Sequence, residues 1–441
     1  MDYRACLEYL DRLGNEVLTM KFGLETTRRL LARLGNPHQR FATVLVAGTN
    51  GKGSVAHFLA GICSAAGLRT GLFTSPHLVE ARERIRVDGV PVAEAEFAAA
   101  FEEVVECIRQ GGFDLHPTFF ETITATALCA FRRHRVELAV LEVGMGGRLD
   151  STNAVEPLLS LITPIDYDHQ KYLGHTLSAI AREKAGIIRG GRPVLSSVQQ
   201  PEVAETLRLC AAELGAQLSF VAPPAAGDPD WLGRYEIVCD GMSFRLGSCG
   251  RHQVANAALA AAAASRLAAL GLPITPAAVA QGLRGAVVPG VLQWWSQHPP
   301  LILDGGHNPH AARNLAEYLQ GFTREPRTLI FGCMQDKDAP AILRPLLPLF
   351  DRVLFTRVRN PRAASTDTLR SLHPAAEAVE DPLEALDLAA RFPGTTVVAG
   401  SFYLVGEVLR GLTEPERTPK NWLPLPPVRQ AVGPPEARRI F

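Results

Sequence analysis

The sequence predicts an α/β protein with two doubly wound, mostly parallel sheets, of which the first is the larger. Apolar, strand-like runs alternate with helical patterns over most of the 441 residues, and a glycine-rich segment at 48–54 joins one such run to a helix-like stretch. A Pro/Gly-rich segment at 285–300 separates two alternations. A chain of this length exceeds what one hydrophobic core usually organises. We therefore expect a phosphate-loop domain at residues 1–295 and a smaller Rossmann-like domain at 296–441.

The first half supplies the elements of a parallel sheet in order along the chain. Short runs rich in valine, leucine and isoleucine are typical of buried strands, and the amphipathic stretches between them are typical of covering helices. The glycine-rich segment falls at the carboxyl end of the first strand, where such sheets bind ligands. The predicted strands are 41–46, 69–73, 137–142, 158–163 and 193–196, and the predicted helices are 55–66, 94–109, 119–133 and 177–184.

Before the domain boundary the chain makes an excursion from this alternation. A Pro/Gly-rich break at 222–230 precedes a predicted hairpin at 235–239 and 243–246, with Asp240 and Gly241 at its turn, and an alanine-rich helix at 254–270 follows. The tail at 414–441 is rich in proline, lacks periodicity and is expected to be extended or partly disordered. The second sheet is predicted from strands 301–304, 328–331, 353–356 and 395–399 with helices 309–320, 339–346, 366–372 and 383–391.

Composition excludes several classes of function. With 45 basic and 45 acidic residues the formal charge is zero, so no long-range field attracts nucleic acid or an anionic membrane. The eight cysteines are scattered without C-x-x-C pairs and are predicted to be buried thiols of a reducing compartment. The longest apolar run, 254–264, is too short to span a bilayer. We expect a cytoplasmic monomer without nucleic-acid or membrane partners.

The glycine-rich segment predicts a phosphate-binding loop. Glycines let successive N–H groups approach phosphate oxygens, the following helix N-terminus favours negative charge, and a lysine adds a point charge. The extra glycine between the lysine and the hydroxyl argues against ordinary kinases and GTPases. The alternative, a glycine turn with a chance lysine, is disfavoured by the strand before and the helix after. The candidate ATP-binding residues are Gly48, Thr49, Asn50, Gly51, Lys52, Gly53 and Ser54.

A triphosphate site needs a cation, usually Mg²⁺ held by a hydroxyl or carboxylate together with phosphates and water. Glu142 ends one apolar strand, while Ser75 and His169 follow two others. Singly, each has an ordinary explanation as a solvated carboxylate, a turn cap or a surface imidazole. Their convergence at strand ends beside the loop favours a metal site.

Other candidates are ambiguous from residue type. Lys184 would by default be one charge on a solvated helix face, and the Phe119-Phe120 pair would more often be core than a ligand platform. Asp304 and His307 follow a strand and open a helix, so they either face an interdomain cleft or belong to a turn held by an Asx interaction.

Taken together, the motifs resemble the folylpolyglutamate synthase/dihydrofolate synthase family of the Mur ligase superfamily. The resemblance covers nearly the whole chain, from residue 22 to 403, and leaves out the proline-rich tail. It rests on the ordered segments 48–54, 74–78, 141–150, 168–169, 182–186, 307–309 and 336–338.

The resemblance implies an ATP-dependent amide ligase of folate biosynthesis. Its substrates would be ATP, L-glutamate and dihydropteroate or a reduced folate, joined through an acyl phosphate. Catalysis would depend on Lys52, Glu142, His169, Lys184 and His307, although a phosphate oxygen is an alternative to His307 as the base for the amine. The alternatives are a Mur-type ligase of cell-wall synthesis and a nucleotide-binding relative that has lost catalysis.

The resemblance also assigns ligand contacts by motif. Ser75, Glu142 and His169 would bind two magnesium ions, Lys184 would be carbamylated to support them, and Asn256 and Asp304 would contact the nucleotide. The pteroate pocket would be bordered by Thr118, Phe119, Phe120, Glu121, Arg148 and Asp150.

One position departs from the family pattern. Val291 stands where the family has an arginine that contacts ATP, and Arg284 is a candidate substitute. Loss of a charge-assisted contact weakens binding by about 1.5 to 3 kcal/mol.

Overall fold

The computed structural model describes residues 1–14, 23–239 and 241–413, and within these ranges sixteen strands form two large sheets and one hairpin. The strands are β1 (Ala42–Ala47), β2 (Thr70–Phe73), β3 (Ile85–Val87), β4 (Val90–Pro91), β5 (Leu138–Glu142), β6 (Leu159–Ile162), β7 (Pro193–Ser197), β8 (Gln217–Val221), β9 (Glu236–Cys239), β10 (Met242–Arg245), β11 (Gln293–Gln297), β12 (Pro300–Asp304), β13 (Arg327–Phe331), β14 (Arg352–Phe355), β15 (Glu377–Ala378) and β16 (Thr395–Ala399).

Fifteen α-helices connect and cover these strands in the described residues, joined by short 3₁₀ turns. They are α1 (Tyr3–Arg12), α2 (Glu25–Arg33), α3 (Lys52–Ala65), α4 (Glu94–Arg109), α5 (Phe119–Arg133), α6 (Gln170–Leu173), α7 (Leu177–Ala185), α8 (Pro201–Glu213), α9 (His252–Ala269), α10 (Pro276–Gly285), α11 (Pro309–Phe322), α12 (Ala339–Leu343), α13 (Thr366–Leu372), α14 (Pro382–Ala389) and α15 (Phe402–Thr413).

The first sheet has the strand order β4-β3-β2-β5-β1-β6-β7-β8. Strands β1, β2, β5, β6, β7 and β8 are parallel, and the β3–β4 edge is antiparallel. Strand β5 is buried at every position because helices cover both faces of the sheet, as expected for a parallel sheet. The doubly wound fold predicted from the sequence is confirmed, although the edge hairpin was not predicted.

Two cores lie on opposite faces of this sheet. One packs α4 and α5 against residues such as Phe73 and Ile85, and the other packs α3, α9 and α10 against residues such as Leu72. Ligands that enter at the carboxyl ends of the strands can therefore contact either face.

The second sheet has the order β11-β12-β16-β13-β14-β15, parallel except for β11. Strand β11 belongs to this sheet and spans residues 295 and 296, where the sequence places the domain boundary. The second sheet thus begins a few residues before the predicted boundary. The division of the chain into domains 1–295 and 296–441 stays a prediction.

Several local predictions can be compared with the structure. The β9–β10 hairpin is confirmed, whereas Asp240 of its proposed turn and the proline-rich tail lie outside the described residues. Helix α3 begins at Lys52 rather than at residue 55, with Gly51 at φ 83° as its N-cap. No disulfide joins the cysteines of the described residues, and Cys210 and Cys239 are half-buried rather than buried. No helix in the described part of the chain is long and apolar enough to cross a membrane.

Candidate active site

A cleft lies between the carboxyl ends of the first-sheet strands and the start of the second sheet. Its lining includes the loop 48–54, Ser75, Glu142, His169 and Lys184 from the first sheet. From the second sheet it includes Asp304, Gly306, His307, Lys337 and Phe402. Residues predicted from separate sequence motifs therefore meet in one cavity.

The loop needs its glycines because neighbouring side chains lie against the backbone. At Gly48 (φ 147°) a Cβ would lie 1.9 Å from Thr163 Oγ1, and at Gly51 (φ 83°) it would lie 2.5 Å from Asn256 Oδ1. Both φ values are also ones that side-chain-bearing residues rarely adopt. Lys52 Nζ donates to the carbonyl of Thr49, 3.2 Å away, so the lysine folds back over the loop.

Glu142 is buried beside this loop. Its Oε2 accepts a hydrogen bond from the Ser75 N–H at 3.1 Å, and a Cβ on Gly53 would lie 3.5 Å from both carboxylate oxygens. Burial raises the pKa of Glu142 to about 7, against the opposing effect of the Lys52 charge. A carboxylate held this way is a site where a cation is favourable.

Lys184 lies beneath the loop and is not on a solvated helix face, so that default interpretation is wrong. The residue is 4% exposed, and its Nζ donates to the carbonyl of Gly48 at 2.6 Å. Burial, with a further contribution from the Lys52 charge, lowers the pKa of Lys184 to about 7. A substantial fraction of this amine is therefore neutral and nucleophilic at neutral pH.

His169 follows β6 in a left-handed conformation, with φ 49°, directly before α6. It lines the cavity, so the surface-imidazole interpretation is wrong. Burial lowers the pKa of His169 to about 3, which leaves the imidazole neutral and able to bind a metal through a ring nitrogen.

Asp168 connects the two sides of the cleft. Its carboxylate lies 2.7 Å from Lys337 Nζ, 3.6 Å from His307 Nε2 and 3.4 Å from Asn308 Nδ2. Burial alone would raise the pKa of Asp168, but the neighbouring His307 side chain and the Lys337 charge hold it well below its usual range. The sequence motifs included Asp168 and Lys337 without assigning either a role.

Of the two residues predicted to contact the nucleotide, Asp304 lines the cavity and Asn256 does not. Asp304 lines the cavity, and its two oxygens accept from the N–H groups of Leu292 and Gly306, each at 2.9 Å. It therefore also holds the turn that the alternative interpretation proposed. Asn256 lies under Gly51 outside the cavity lining, where its Nδ2 donates to Gln253.

The predicted pteroate residues divide into two groups. Phe120 and Asp150 line the cavity, whereas Thr118, Phe119, Glu121 and Arg148 do not. Thr118 and Glu121 form the capping box of α5, and Thr27 Oγ1 donates to the remaining oxygen of Glu121. Glu121 is buried, and these hydrogen bonds satisfy both of its carboxylate oxygens.

Arg148 is also engaged elsewhere. Its guanidinium pairs with Glu183 at 2.8 Å on an exposed surface.

Arg284 does not replace the family arginine. Its Nη2 donates to the carbonyl of Ser243, and its guanidinium lies over the Phe244 ring, away from the cavity that Val291 lines. The arginines in the cavity lining are Arg86 and Arg362, and Arg362 pairs with Asp336. His57, His252 and Arg86 are lining residues that sequence reasoning missed, because one residue without a motif gives no signal.

The donor set suits a hard cation only in part. Among the residues that the structure describes, no three His, Cys, Asp or Glu side chains are grouped closely enough to hold a metal ion. A carboxylate and a hydroxyl from Glu142 and Ser75 do match the oxygen preference of Mg²⁺, which usually completes its shell with phosphates and water. The residues fit a metal that binds together with a triphosphate.

This combination of a strand-end phosphate loop and a second, smaller α/β domain across the cleft defines a Mur-type ATP-dependent ligase. Residues 46–200 match the Mur ligase middle domain, and residues 292–402 match the Mur ligase glutamate ligase domain.

The relatives specify the family. The dihydrofolate synthase/folylpolyglutamate synthase of Bacillus subtilis is 34% identical over 417 residues, covering 89% of this chain and 95% of its own. The Escherichia coli enzyme of the same name is 34% identical over 91% of this chain and 94% of its own. The structure of E. coli FolC in complex with DHPP and ADP superimposes with a TM-score of 0.82 and 32% identity, covering 93% of this chain and 97% of that one.

The chain belongs to the dihydrofolate synthase/folylpolyglutamate synthase family of ATP-dependent ligases. The resemblance and fold class predicted from the sequence are confirmed. These relatives give no support to the cell-wall ligase or to the non-catalytic alternative.

Proposed function

We propose that the protein adds L-glutamate to dihydropteroate, to the γ-carboxyl group of reduced folates, or to both, with ATP as the energy source. The observation that carries this is the convergence of Lys52, Glu142 and Lys184 around one loop. Membership of the family, in which solved relatives bind ADP with DHPP or AMPPNP with L-glutamate, supports the substrate classes.

The chemistry proceeds in two balanced steps. A carboxylate oxygen of the pterin substrate attacks the γ-phosphorus of ATP, and the bond to the bridging oxygen breaks to release ADP. The glutamate amine then attacks the acyl carbon and loses a proton, and inorganic phosphate leaves. Because a carboxylate is a poor electrophile, the protein's task is positioning and charge neutralisation.

Lys52 and the loop N–H groups are proposed to hold the triphosphate and offset the charge of the transferred phosphoryl group. We assign Asn256 and Asp304 to the nucleotide, Asn256 by supporting the loop at Gly51 and Asp304 from the cleft wall. His307, beside Asp168, is one candidate for the amine's proton, and a phosphate oxygen is the other.

Ser75, Glu142 and His169 would hold divalent metal, and we propose two Mg²⁺ ions. When bound, the metal neutralises phosphate charge and polarises the γ-phosphoryl group. The use of divalent metal is supported by a relative from Yersinia pestis that is complexed with AMPPNP and a manganese ion. Lys184 is proposed to be carbamylated, and its buried, partly neutral amine beneath the loop supports that role.

For the pterin we propose a place against Phe120, with Asp150 nearby, on the α5 face of the sheet. Thr118 and Glu121 would act through the capping box, and Phe119 and Arg148 would lie at the border. We also propose a cytoplasmic monomer without nucleic-acid or membrane partners, in keeping with the zero formal charge.

The test is phosphate release by purified protein with MgATP and L-glutamate, comparing no pterin, dihydropteroate and tetrahydrofolate. Release with dihydropteroate alone indicates a dihydrofolate synthase, and release with both pterins indicates a bifunctional enzyme. If neither pterin gives phosphate release above the level of the Lys52→Ala variant, the proposal is contradicted.

A further inference from the structure

Helix α11 of the second sheet contacts the first half of the chain at both of its ends. At its start, Asn308 is the N-cap residue, and its Nδ2 donates to Asn50 Oδ1 at 2.8 Å. His310 in the first turn has its Nδ1 3.0 Å from Asn50 Nδ2. Near the other end, the Tyr318 hydroxyl donates to the carbonyl of Leu232 at 2.7 Å. The helix therefore connects the cleft to a second, distant contact.

The distant contact is largely aromatic, and we call it the aromatic clasp. Tyr318 is 2% exposed, and its hydroxyl also accepts from Trp294 Nε1 at 2.5 Å. Burial raises the pKa of Tyr318 above its ordinary value, so the hydroxyl keeps its proton and can donate. At Gly233 (φ 73°) a Cβ would lie 2.7 Å from the Tyr318 ring, so the backbone packs directly against this ring. The clasp consists of Leu232, Gly233, Trp294, Tyr318 and Phe322.

The turn at 230–234 carries the first-half side of the clasp on a rigid support. Asp230 fixes the turn, because its carboxylate accepts from the N–H groups of Leu232 and Arg234 at 3.0 and 2.9 Å and pairs with the Arg234 guanidinium at 2.6 Å. Leu232 packs against the core of the second sheet, whereas Tyr235, directly after the turn, packs against the core of α3, α9 and α10 on the first sheet. The turn thus joins the two cores and presents the Leu232 carbonyl to α11.

Helix α11 can act as a lever between its two ends. Its 14 residues span about 20 Å. Leu315 and Leu319 pack the helix into the core of the second sheet, so that sheet turns with it. A rotation of about 5° around the clasped end moves the start of the helix by about 2 Å. Such a displacement breaks the hydrogen bond from Asn308 to Asn50, because hydrogen bonds of this kind need about 2.7 to 3.2 Å between donor and acceptor.

We propose that Tyr318 is a positioning residue for the ligase reaction, because the aromatic clasp sets the angle at which α11 presents His307 and Asn308 to the opposite wall of the cleft. The five clasp residues do not line the cleft, so they act through α11 and β11. The structural part of the inference is independent of the proposed function, and the expected effect on turnover rests on it.

The experiment compares Tyr318→Phe with the wild type and with Tyr235→Phe. Tyr318→Phe leaves the Leu232 carbonyl and Trp294 Nε1 without their partner. Tyr235→Phe is the matched control. It removes the same group from a ring that contacts Phe322, and the Tyr235 hydroxyl bonds to none of the described residues. A second test variant, Gly233→Ala, keeps the Tyr318 hydroxyl and pushes its ring away from the turn.

Amide hydrogen exchange of the substrate-free proteins measures the far end of the lever. Tyr318→Phe and Gly233→Ala should each accelerate exchange in residues 305–312 by about 3- to 10-fold, although the substituted residues lie at the other end of α11. Tyr235→Phe should leave this exchange unchanged.

Steady-state phosphate release measures the effect on turnover, at a temperature where thermal melts show every variant to be folded. The kcat of Tyr318→Phe should fall by about 5- to 20-fold, because small misplacements of reacting groups have large effects on rate. The Kd of MgAMPPNP, measured by calorimetry, should stay within about twofold, since the phosphates are proposed to bind to the first wall of the cleft. Tyr235→Phe should match the wild type in both quantities.

The outcomes separate this inference from the proposed function. Absence of glutamate-dependent release by the wild type contradicts the proposed function, and hydrogen exchange still tests the clasp. Unchanged exchange at 305–312 in Tyr318→Phe, or equal acceleration in Tyr235→Phe, overturns the inference. A Tyr318→Phe variant whose kcat stays within twofold of an active wild type overturns it as well, since the clasp would then support the fold without positioning the site.

Discussion

The wall of the cleft that carries the loop 48–54 is fixed by hydrogen-bonded parallel strands, whereas the opposite wall meets it through side chains. Asn308 Nδ2 donates to Asn50 Oδ1 at 2.8 Å, His310 Nδ1 lies 3.0 Å from Asn50 Nδ2, and Lys337 pairs with Asp168. Away from the cleft, the Tyr318 hydroxyl donates to the carbonyl of Leu232, joining α11 to the excursion before the hairpin.

The two walls of the cleft therefore serve different purposes. The first wall holds charge in a rigid, buried setting, where electrostatic interactions are strong. The second wall makes polar contacts across the cleft that can break and re-form as substrates enter and leave, and Leu78 and Val79 also pack against its core. Changes to the first wall should therefore affect chemistry, and changes at the contact should affect how the walls come together.

The largest effect is expected for Lys52→Ala on the first wall. Loss of a positive charge at the transferred phosphoryl group should lower kcat by about 10²- to 10³-fold, while thermal stability changes little because the side chain is half-buried and bonds to the loop backbone. Phosphate release and a thermal melt measure the two. A loss of kcat below tenfold would show that the loop does not carry the chemistry.

Lys184→Met should separate activity from stability. We expect kcat/KM to fall by about 10- to 100-fold, because a group supporting the metal ligands is lost. Without substrates or bicarbonate, the variant should be at least as stable as the wild type at pH 7, because it no longer buries an amine that folding makes less basic.

The effect of Lys184 on the free energy of unfolding should depend on pH in a definite direction. The pKa of Lys184 is about 7 in the folded protein, below its ordinary value, so between about pH 7 and pH 10 the unfolded chain binds more protons. The contribution of Lys184 to the free energy of unfolding should rise over that range, in the field of Lys52, Asp168 and Asp150. Urea unfolding of wild type and Lys184→Met at several pH values checks this, and parallel curves would contradict it.

Asp168→Asn tests the contact between the walls. It leaves Lys337, whose side chain is 9% exposed, without its charged partner, so the free energy of unfolding should fall by about 3 kcal/mol. The double variant with Lys337→Met should lose less than the sum of the two single variants. Urea unfolding of all four proteins gives the coupling, and strict additivity would show that the pair does not join the walls.

Adjacent phenylalanines at the start of α5 provide a smaller, matched test. Phe120 lines the cleft, whereas Phe119 lies under the guanidinium of Arg84 with 5.2 Å between guanidinium carbon and ring centre. Phe120→Leu should raise the KM for the pterin by about 2- to 10-fold, through lost aromatic contact, and Phe119→Leu should change it by less than twofold. Equal effects would place the pterin elsewhere.

The smallest effect is expected for Arg148→Gln. Its exposed pair with Glu183 should contribute less than about 1 kcal/mol to stability, and its loss should leave the pterin KM within about twofold. A tenfold rise in that KM would instead show that Arg148 leaves Glu183 to reach the substrate.

Much of the first wall could be predicted from sequence because each part is local. A strand, a glycine turn and a helix in succession specify a phosphate loop at 48–54, and polar residues directly after buried strands specify Ser75, Glu142 and His169. The burial of Lys184 could not be predicted from the sequence. Neither the residue type nor its position in a helix indicates that the loop 48–54 covers it.

By itself the sequence determined the alternation of strands and helices, the phosphate loop and the family, because these depend on short-range pattern and on motifs with fixed spacing. The tertiary structure decided which residues meet. Asp168 and Lys337 are 169 positions apart in the chain, and His57 and Arg86 belong to no common motif, yet folding brings each pair together. The reason is physical: the pairing depends on how helices pack on the two faces of the sheet and how the second domain sits on the first.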